Sequence, residues 1–518
     1  MTAKTIMVMG TSSSAGKSLL TTALCRCFAR RGFRTAPFKA QNMSNNAAVC
    51  AGGAEIGRSQ ALQAVAAGVP PVSDMNPILL KPEGDTRSQV IVNGRPLQTL
   101  EATDYFQRRT QLWPHVTAAL DRIRDQYDVI VIEGAGSPAE LNLTELEMVN
   151  MSVARYCRSP VLLVGDIERG GVFAQLLGTL WLLPAEDREL VVGLIVNKFR
   201  GDLSLFDSGV DILQQRGGVP VLGVLPWINA LRLPEEDAVA LDSPADVDLD
   251  RLTAGAAPPE LEIVVIRLPH IANFDDFDPL AAHPGVRLRY VRMTSELGRP
   301  DVVILPGTKN TFGDLQWLRQ SGLAAQIERL SKQQTEVVGI CGGYQMLGRQ
   351  IINPDRVESG VHNAAGLGLL EIETVFHPTK QTCQVEFEMT DDTIAPGARG
   401  QSVSGYEIHH GQTRSSTPWM KRITEAGSDL APADGSYSAE GQIWGCYLHG
   451  LFHNDSFRAA WLNRLGVSET AGSTISSQDE LQLSLDRLAD AFEQYVDFDR
   501  LMKLTFEPNS TQAANDAG

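Results

Sequence analysis

Two stretches of this chain carry residue types at spacings that could do chemistry. The first, G-T-S-S-S-A-G-K-S from Gly10 to Ser18, directly follows a short apolar run, Thr5–Met9. Backbone N–H groups of such a loop bind phosphate oxygens, while Lys17 would reach the outer phosphates and the Ser18 hydroxyl would ligate Mg²⁺. The loop has one residue more than usual between its glycines, so it predicts a variant ATP-binding loop. The residues predicted to contact ATP here are Thr11, Ser12, Gly16, Lys17 and Ser18.

Polar residues end three other strand-like runs of the same half. Glu133 ends V-I-V-I-E and is the expected second Mg²⁺ ligand, because ligands bind at the carboxyl edge of parallel sheets. Asp166 ends V-L-L-V-G-D and could serve the metal or a substrate. Asn197 and Lys198 end G-L-I-V-N-K and are predicted at the ATP site, where an Asn amide could read an adenine edge. The alternative for each is an ordinary polar side chain at a strand end.

An amide-rich segment, P-F-K-A-Q-N-M-S-N-N, follows another short strand and contains Lys39, Gln41 and Asn42. Amide groups can hydrogen-bond propionate-type carboxylates without adding charge. These three residues are therefore candidate substrate contacts, and a polar loop with Asx turns is the alternative.

The second reactive stretch is V-V-G-I-C-G-G-Y-Q-M-L-G, in which Cys341 stands between a buried strand and a helix-like segment. A thiol on such a sharp turn is exposed to substrate and lies at a helix N-terminus, which favours the thiolate. The N–H of Gly342 is the natural oxyanion donor, with Gly307, in the loop after V-V-I-L-P, as a second. The alternative, an inert core cysteine, would not need the surrounding glycines.

A cysteine nucleophile needs a base, which should be a histidine distant in sequence. His449, in G-C-Y-L-H-G-L-F at the end of a short strand, is the candidate. His409 and His410, in G-Y-E-I-H-H-G, compete for the role. Because neighbours on a strand point to opposite faces, at most one of that pair faces a given site.

The elements that must position these residues follow two α/β patterns. In the first half, apolar runs without alternation are separated by helix-like segments, which indicates a parallel sheet buried on both faces. A second α/β pattern follows a linker rich in Ala, Asp and Pro, and from Gly366 to about Gly445 alternation indicates antiparallel strands. The predicted strands are Thr5–Met9, Val129–Ile132, Val161–Val164, Val191–Val196, Leu261–Leu268, Val302–Leu305 and Val337–Ile340, and the predicted helical stretches are Leu19–Arg31, Phe312–Leu330 and about Asp479–Leu504.

Composition narrows the class of protein. The 518 residues include 62 acidic and 45 basic ones, a net charge of −17, whereas a nucleic-acid binder carries a basic footprint. No stretch is apolar for long enough to span a membrane, and the run Ile6–Met9 is too short for a signal peptide. Seven cysteines, an odd and scattered set, do not make a disulfide framework. We therefore expect a reduced, cytoplasmic protein with no nucleic-acid or membrane partner.

Together these motifs resemble a known family. The C-terminal half resembles class I, triad-type glutamine amidotransferase domains. The N-terminal half, with its phosphate loop and V-I-E-G-A-G, resembles the dethiobiotin-synthetase-like nucleotide-binding domain, whose loop has this spacing. Both halves in this order, with F-K-A-Q-N-M-S-N-N, G-D-I-E-R-G-G-V-F-A, N-K-F-R-G-D and G-Y-E-I-H-H-G, are similar to the cobyric acid synthase family over nearly the whole chain.

The resemblance implies an α/β fold in which a P-loop parallel-sheet ATP-binding domain precedes a class I glutamine amidotransferase α/β domain. The implied segments are a synthetase domain binding ATP, Mg²⁺ and a corrinoid (1–235), a linker (236–259), an amidotransferase domain (260–456), a C-terminal helical segment (457–505) and a disordered tail (506–518).

The resemblance also implies a reaction. L-Glutamine would be hydrolysed at Cys341 through a thioester, with His449 as base and then acid, releasing ammonia. ATP and Mg²⁺ in the first domain would activate a corrinoid carboxylate as an acyl phosphate, which ammonia converts to an amide. In the family, the b, d, e and g carboxylates of adenosylcobyrinic acid a,c-diamide are amidated in this way to give adenosylcobyric acid.

One position departs from the common triad pattern. Leu451 stands two residues after the histidine, where Glu is usual. The branch that amidates cobyrinate and its products lacks that Glu, so the departure supports the assignment and leaves the partner of His449 open, with Glu371 and Glu407 as candidates.

Three other functions remain as alternatives. The sister enzyme of the same branch amidates the a and c carboxylates of cobyrinic acid. A ParA/MinD-like switch ATPase would carry an extra lysine early in its loop, where this chain has Thr11 and serines. Finally, the second domain could bind a ligand without catalysing a reaction.

Overall fold

A computed structural model describes residues 2–84, 86–142, 147–228, 231–234, 236, 259–423, 433–467 and 476–507. Within them, no helix combines the length and the apolar composition needed to cross a membrane. Most of the predicted linker (236–259) and of the predicted tail (506–518) lies outside the described residues.

The first domain is a parallel sheet covered by helices on both faces, with a smaller sheet beside it. Its strands are β1 (Lys4–Gly10), β2 (Thr35–Phe38), β3 (Gln41–Met43), β4 (Ala47–Val49), β5 (Glu55–Gly57), β6 (Ile78–Pro82), β7 (Arg87–Val92), β8 (Arg95–Glu101), β9 (Val129–Glu133), β10 (Val161–Asp166), β11 (Val191–Phe199) and β12 (Val221–Pro226). Its helices are α1 (Lys17–Arg30), α2 (Arg58–Ala66), α3 (Ala102–Gln126), α4 (Met151–Cys157), α5 (Val172–Leu182), α6 (Ala185–Arg188) and α7 (Asp207–Gly217).

The order of the main sheet, β12-β11-β10-β1-β9-β2, explains how polar residues far apart in sequence meet. Every strand pair in it is parallel, so the carboxyl ends of β1, β9, β10 and β11 share one edge. Val8 pairs with Glu133 and Asp166 pairs with Asn197, which brings these strand ends beside the loop after β1. A smaller sheet of order β3-β6-β7-β8 and the pair β4-β5 extend toward the second domain.

The second domain repeats this arrangement with a different order. Its strands are β13 (Leu261–Ile266), β14 (Val286–Val291), β15 (Val302–Leu305), β16 (Glu336–Ile340), β17 (Gln350–Ile352), β18 (Asn363–Ala365), β19 (Glu373–Met389), β20 (Ser402–Arg414), β21 (Met420–Arg422), β22 (Ala433–Asp434), β23 (Ser436–Tyr437) and β24 (Ile443–Cys446). Its helices are α8 (Asp278–Ala282), α9 (Thr294–Leu297), α10 (Thr311–Gln320), α11 (Leu323–Ser331), α12 (Gly342–Leu347) and α13 (Asp455–Arg464).

The main sheet of this domain has the order β14-β13-β15-β16-β24-β23 and is parallel except at β23. The loops after β13, β15, β16 and β24 therefore open at one edge, which is the edge that positions the second candidate site. The antiparallel hairpin β19–β20 lies against the first domain, where Gln384 Nε2 donates a hydrogen bond to the Val49 carbonyl at 2.9 Å.

The C-terminal helices, α14 (Ser477–Tyr495) and α15 (Phe498–Phe506), pack on the first domain rather than the second. Asp486 pairs with Arg26 of α1 at 2.8 Å, and the Phe498 ring lies 5.5 Å from the Phe28 ring. The end of the chain thus covers the face of the first sheet that α1 leaves incomplete.

The strand predictions agree with the structure to within a few residues, and the helical stretches differ at their breaks. The stretch predicted over Phe312–Leu330 is two helices, because Gly322 adopts a left-handed conformation (φ 79°) that ends α10 before α11 begins. Helix α13 crosses the predicted domain boundary after 456, since Phe457 and Trp461 are buried in the core of the second domain.

Candidate active sites

The phosphate loop has the conformation that its sequence indicates. Gly16 has φ 100°, and a Cβ atom there would lie 2.1 Å from Asn197 Nδ2, so glycine is required on both counts. Asn197 Nδ2 donates a hydrogen bond to the Ala15 carbonyl at 3.0 Å, and Lys198 Nζ donates to the Ser14 carbonyl at 2.8 Å. Asn197 and Lys198 therefore support the loop from β11, and contact of either with adenine stays a prediction.

Lys17 lies at the start of α1 and is directed back over the loop. Its Nζ donates to the Ser12 carbonyl at 2.9 Å and to the Gly136 carbonyl at 3.2 Å. The ammonium group is thus centred between the loop and the strand that carries Glu133, where the outer phosphates of a nucleotide would lie.

Glu133 is the centre of a buried polar cluster. Its Oε1 accepts hydrogen bonds from Ser18 Oγ at 2.9 Å and from Lys39 Nζ at 2.8 Å, and its Oε2 accepts one from Gln63 Nε2 at 2.6 Å. Burial raises the pKa of Glu133, but the Lys39 ammonium and these hydrogen bonds outweigh burial and lower it overall. Ser18 and Glu133 are oxygen donors of the kind that Mg²⁺ prefers, and the two candidate ligands lie side by side.

The other predicted contact residues of the first domain have different hydrogen-bond and ion-pair partners. Lys39 lies in the Glu133 cluster and also 3.7 Å from Glu236 Oε2, and the Asn42 amide donates to Gln60 Oε1 at 3.0 Å. Gln41, by contrast, accepts a hydrogen bond from the Tyr105 hydroxyl.

Asp166 is paired within the phosphate-loop site. Its Oδ2 lies 2.9 Å from Lys198 Nζ. Because Lys198 also holds the Ser14 carbonyl, Asp166 positions the loop indirectly, and a contact of Asp166 with metal or substrate stays a prediction.

Cys341 occupies a strained turn between β16 and α12. Its φ of 50° and ψ of −107° are rare for a residue with a side chain, and such strain is typical of a nucleophile exposed on a strand-to-helix turn. The two residues that follow Cys341 must both be glycine: a Cβ at Gly343 would lie 1.9 Å from the Leu305 carbonyl oxygen, and one at Gly342 would meet Thr308. The Cys341 N–H donates to the Cys446 carbonyl at 2.8 Å, which ties the turn to β24.

His449 follows β24 and lines the same cavity as Cys341, close enough for the two side chains to interact electrostatically. Its Nδ1 is 2.7 Å from Asp276 Oδ2, and Asp276 Oδ1 accepts a hydrogen bond from the Gly450 N–H at 2.8 Å. Burial lowers the pKa of His449, but the Asp276 carboxylate and the Cys341 thiol outweigh burial and raise it to about 10. Cys341, His449 and Asp276 therefore form a candidate triad in which the imidazole readily holds a proton.

Asp276, the carboxylate that pairs with His449, is the candidate site residue that the sequence analysis missed. The sequence candidates for its role lie elsewhere: Glu371 pairs with Arg349 at the surface, and Glu407 lies near Arg422 and Cys383. The signal was present in N-F-D-D-F-D, where consecutive acids follow β13 among buried aromatic residues.

His409 and His410, the competing candidates for the base, lie in surroundings that differ from those of His449. Burial lowers the pKa of His409 to about 3 and that of His410 to about 4, so both are neutral. The His409 ring stacks on Tyr447 at 3.8 Å, and its Nδ1 lies 2.6 Å from the Gly411 carbonyl oxygen. His409 lines the cavity described next without being the group that pairs with Asp276.

Cys341 opens into a cavity of about 60 Å³ between the two domains. Gly307, Gly342 and His449 line it from the second domain, and Lys81, Glu83 and Gln89 line it from the first. The two glycine residues predicted as oxyanion donors thus border the same space as the thiol.

A buried acid also lines this cavity. Glu358 Oε1 accepts a hydrogen bond from the Thr311 N–H at 2.7 Å, while its Oε2 finds no hydrogen-bond partner among the described residues. Burial raises the pKa of Glu358 to about 7. Two lysines stand nearby on the cavity wall: Lys309, which pairs with Glu83 at 2.8 Å, and Lys380, which pairs with Glu55. Burial lowers the pKa of Lys380 to about 7, so Lys309 is the firmer positive charge. The cavity therefore offers opposite charges to a small zwitterion.

Comparison with known proteins agrees with this division into two sites. Residues 6–240 match the family described as the CobQ/CobB/MinD/ParA nucleotide binding domain, and residues 262–457 match the CobB/CobQ-like glutamine amidotransferase domain. The chain is 53% identical to the cobyric acid synthase of Chloroflexus aurantiacus, covering 97% of this chain and 100% of that protein. It is 52% identical to that of Herpetosiphon aurantiacus (97% and 99% covered) and 45% identical to that of Dehalococcoides mccartyi (98% and 99% covered).

Proposed function

The chain belongs to the cobyric acid synthase family, and on that premise we propose that it amidates the b, d, e and g carboxylates of adenosylcobyrinic acid a,c-diamide to give adenosylcobyric acid. Family membership makes it a glutamine-dependent amide ligase of cobalamin biosynthesis that uses ATP. The observation that carries the substrate assignment is the 53% identity to the cobyric acid synthase of Chloroflexus aurantiacus over nearly the whole chain. The position of Cys341, in a cavity walled partly by the synthetase domain, supports the coupling of glutamine hydrolysis to amidation.

In the glutaminase half-reaction the Cys341 thiolate attacks the carboxamide carbon of glutamine. The N–H groups of Gly342 and Gly307 stabilise the oxyanion, and the His449 imidazolium protonates the departing nitrogen, so that ammonia leaves and a thioester remains. His449 then accepts a proton from water, which hydrolyses the thioester to glutamate and restores the thiol. Asp276 keeps the His449 ring oriented and stabilises its charged form throughout.

The charges around the cavity suit the amino-acid end of glutamine. We assign the α-ammonium group to Glu358 Oε2, the carboxylate oxygen that has no hydrogen-bond partner among the described residues, whereas Oε1 accepts from Thr311. Lys309 would hold the α-carboxylate. A buried carboxylate gains the most free energy from pairing with such a cation, because burial has removed the water molecules that would otherwise hydrate it.

In the synthetase half-reaction the first domain binds ATP and activates the corrinoid carboxylate. Lys17 and the phosphate-loop N–H groups would bind the nucleotide phosphates, and Ser18 with Glu133 would hold Mg²⁺, which when bound neutralises charge on the transferred phosphoryl group. The carboxylate takes the γ-phosphoryl group to give an acyl phosphate and ADP. Ammonia attacks that carbon, and inorganic phosphate leaves.

A substrate comparison tests the assignment. The protein is incubated with ATP, Mg²⁺ and glutamine and with either cobyrinic acid or its adenosylated a,c-diamide, and the products are read by mass spectrometry. We expect the a,c-diamide to gain amides at b, d, e and g. Conversion of cobyrinic acid to its a,c-diamide, with no reaction of the diamide, would assign the chain to the sister enzyme instead.

A further inference from the structure

The loop that carries Asp276 lies inside the interface between the two domains. Asn273, Asp275 and Asp276 are each no more than 3% exposed. Asn273 has φ 53°, a left-handed conformation that a residue with a side chain keeps only when its surroundings impose it.

The contacts that impose this shape come from the first domain. The Asn273 N–H donates to Asn46 Oδ1 at 2.7 Å, and the Ala47 N–H donates to Asn273 Oδ1 at 3.0 Å. Two residues further on, Asp275 forms a buried ion pair with Arg58. The synthetase domain thus holds the loop at Asn273 and Asp275, immediately before Asp276.

Arg58 is the first residue of α2, and the same helix reaches the nucleotide site. Gln63, five residues later and about 7.5 Å along the helix axis, donates to Glu133 Oε2 at 2.6 Å. The Arg58 N–H in turn donates to the Asn46 carbonyl at 3.2 Å. One short helix therefore touches the candidate Mg²⁺ ligand near its middle and the triad loop at its start.

We propose that the synthetase domain completes the glutaminase centre. Arg58 and Asn46 are positioning residues that keep Asp276 against His449. Because α2 also contacts Glu133, the contacts of these two residues with the loop depend on what binds at Glu133. The proposal rests on glutamine hydrolysis at Cys341. Its physical basis is that Asp275 without Arg58 is a buried, unpaired carboxylate, which the loop must move to hydrate. Such a movement displaces the adjacent Asp276, and small displacements of a catalytic group lower rates strongly.

The test uses the full-length protein and measures glutamate release in the absence of corrinoid. We expect Arg58→Met to lower kcat/KM for glutamine about 10- to 100-fold, and Asn46→Ala to lower it by a smaller factor. Both should change the pH profile of Cys341 alkylation by iodoacetamide, because a displaced Asp276 no longer supports the His449 imidazolium. Gln384→Ala removes a different hydrogen bond between the domains and serves as the control with unchanged kinetics.

The dependence on Glu133 is tested by repeating the alkylation with and without Mg²⁺ and ATP. We expect the nucleotide to change the rate in the wild-type protein and to have little effect in Arg58→Met. Asn46→Ala, which leaves no buried charge unpaired, gives the same readouts should Arg58→Met not fold.

Either of two results would overturn the proposal. The first is that both positioning variants show the kinetics and the pH profile of the wild-type protein. The second is that the alkylation rate of the wild-type protein does not change when the nucleotide is added. Neither would affect the proposed glutaminase itself, which fails only if Cys341→Ala still hydrolyses glutamine.

Discussion

The two candidate active sites of this protein differ in how complete they are. At the proposed glutaminase centre, the candidate base His449 already contacts Asp276, Cys341 lines the same cavity, and the strain at Cys341 is built into the turn. At the nucleotide site, the charged groups are paired with the protein itself: Lys17 with loop carbonyls, and Glu133 with Lys39 and Gln63.

The difference reflects the chemical groups that each proposed reaction needs. The proposed glutaminase chemistry needs only side chains and backbone N–H groups of the chain itself, so the fold can hold them in position. The nucleotide site handles a polyanion and a cation, and its buried carboxylate, Glu133, is stabilised by the Lys39 ammonium and the Gln63 amide. Four predictions separate the two sites.

The largest effect is expected at the nucleophile. Cys341→Ala should lower glutamate release by about 10⁶-fold, because no other group can form the thioester. Corrinoid amidation supplied with ammonium chloride should persist, as measured by mass spectrometry. Cys157→Ala, a half-buried cysteine in α4, is the matched control. Equal loss of ammonium-driven and glutamine-driven synthesis would contradict the division into two sites.

Asp276→Asn should have the next largest effect, a fall in kcat for glutamine of about 10⁴-fold, because an amide cannot support the imidazolium and permits the wrong tautomer. Steady-state glutaminase assays measure it. Glu371→Gln, which changes the acid that the sequence suggested, should behave as the wild-type protein; the reverse pattern would remove Asp276 from the triad.

Lys17→Met should affect the other site. We expect amidation, with either glutamine or ammonium as nitrogen source, to fall about 10²- to 10³-fold, because one cation that stabilises phosphoryl transfer is lost. Glutamate release at Cys341 should change far less. A larger loss of glutaminase than of ammonium-driven synthesis would show that the sites are not separable in this way.

The smallest effect concerns glutamine binding. Glu358→Gln should raise the KM for glutamine about tenfold, the value of one charged hydrogen bond, with a smaller change in kcat. Burial raises the pKa of Glu358 to about 7, so the carboxylate that binds the α-ammonium group forms as pH rises through that value. The KM of the wild-type protein should therefore fall between about pH 6 and about pH 8, whereas that of the variant should vary less. A KM unchanged by the substitution would move the ammonium site elsewhere.

The sequence by itself determined the elements whose signals are local. A phosphate loop, the acid at the end of a strand and a cysteine on a glycine-flanked turn each depend on neighbouring residues, so Lys17, Glu133 and Cys341 could be found without a fold. The two α/β patterns follow from apolar runs that must be buried on both faces.

Tertiary structure alone decided which distant groups meet. Asp276 contacts His449 although they lie 173 residues apart in sequence, and Gln63 contacts Glu133 across a separation of 70 residues. No periodic pattern in the sequence predicts either contact. No sequence pattern predicted that α14 and α15 pack on the first domain either. These contacts depend on sheet order and on how the domains pack, which no local spacing encodes, because hydrophobic burial places the elements before their polar side chains find partners.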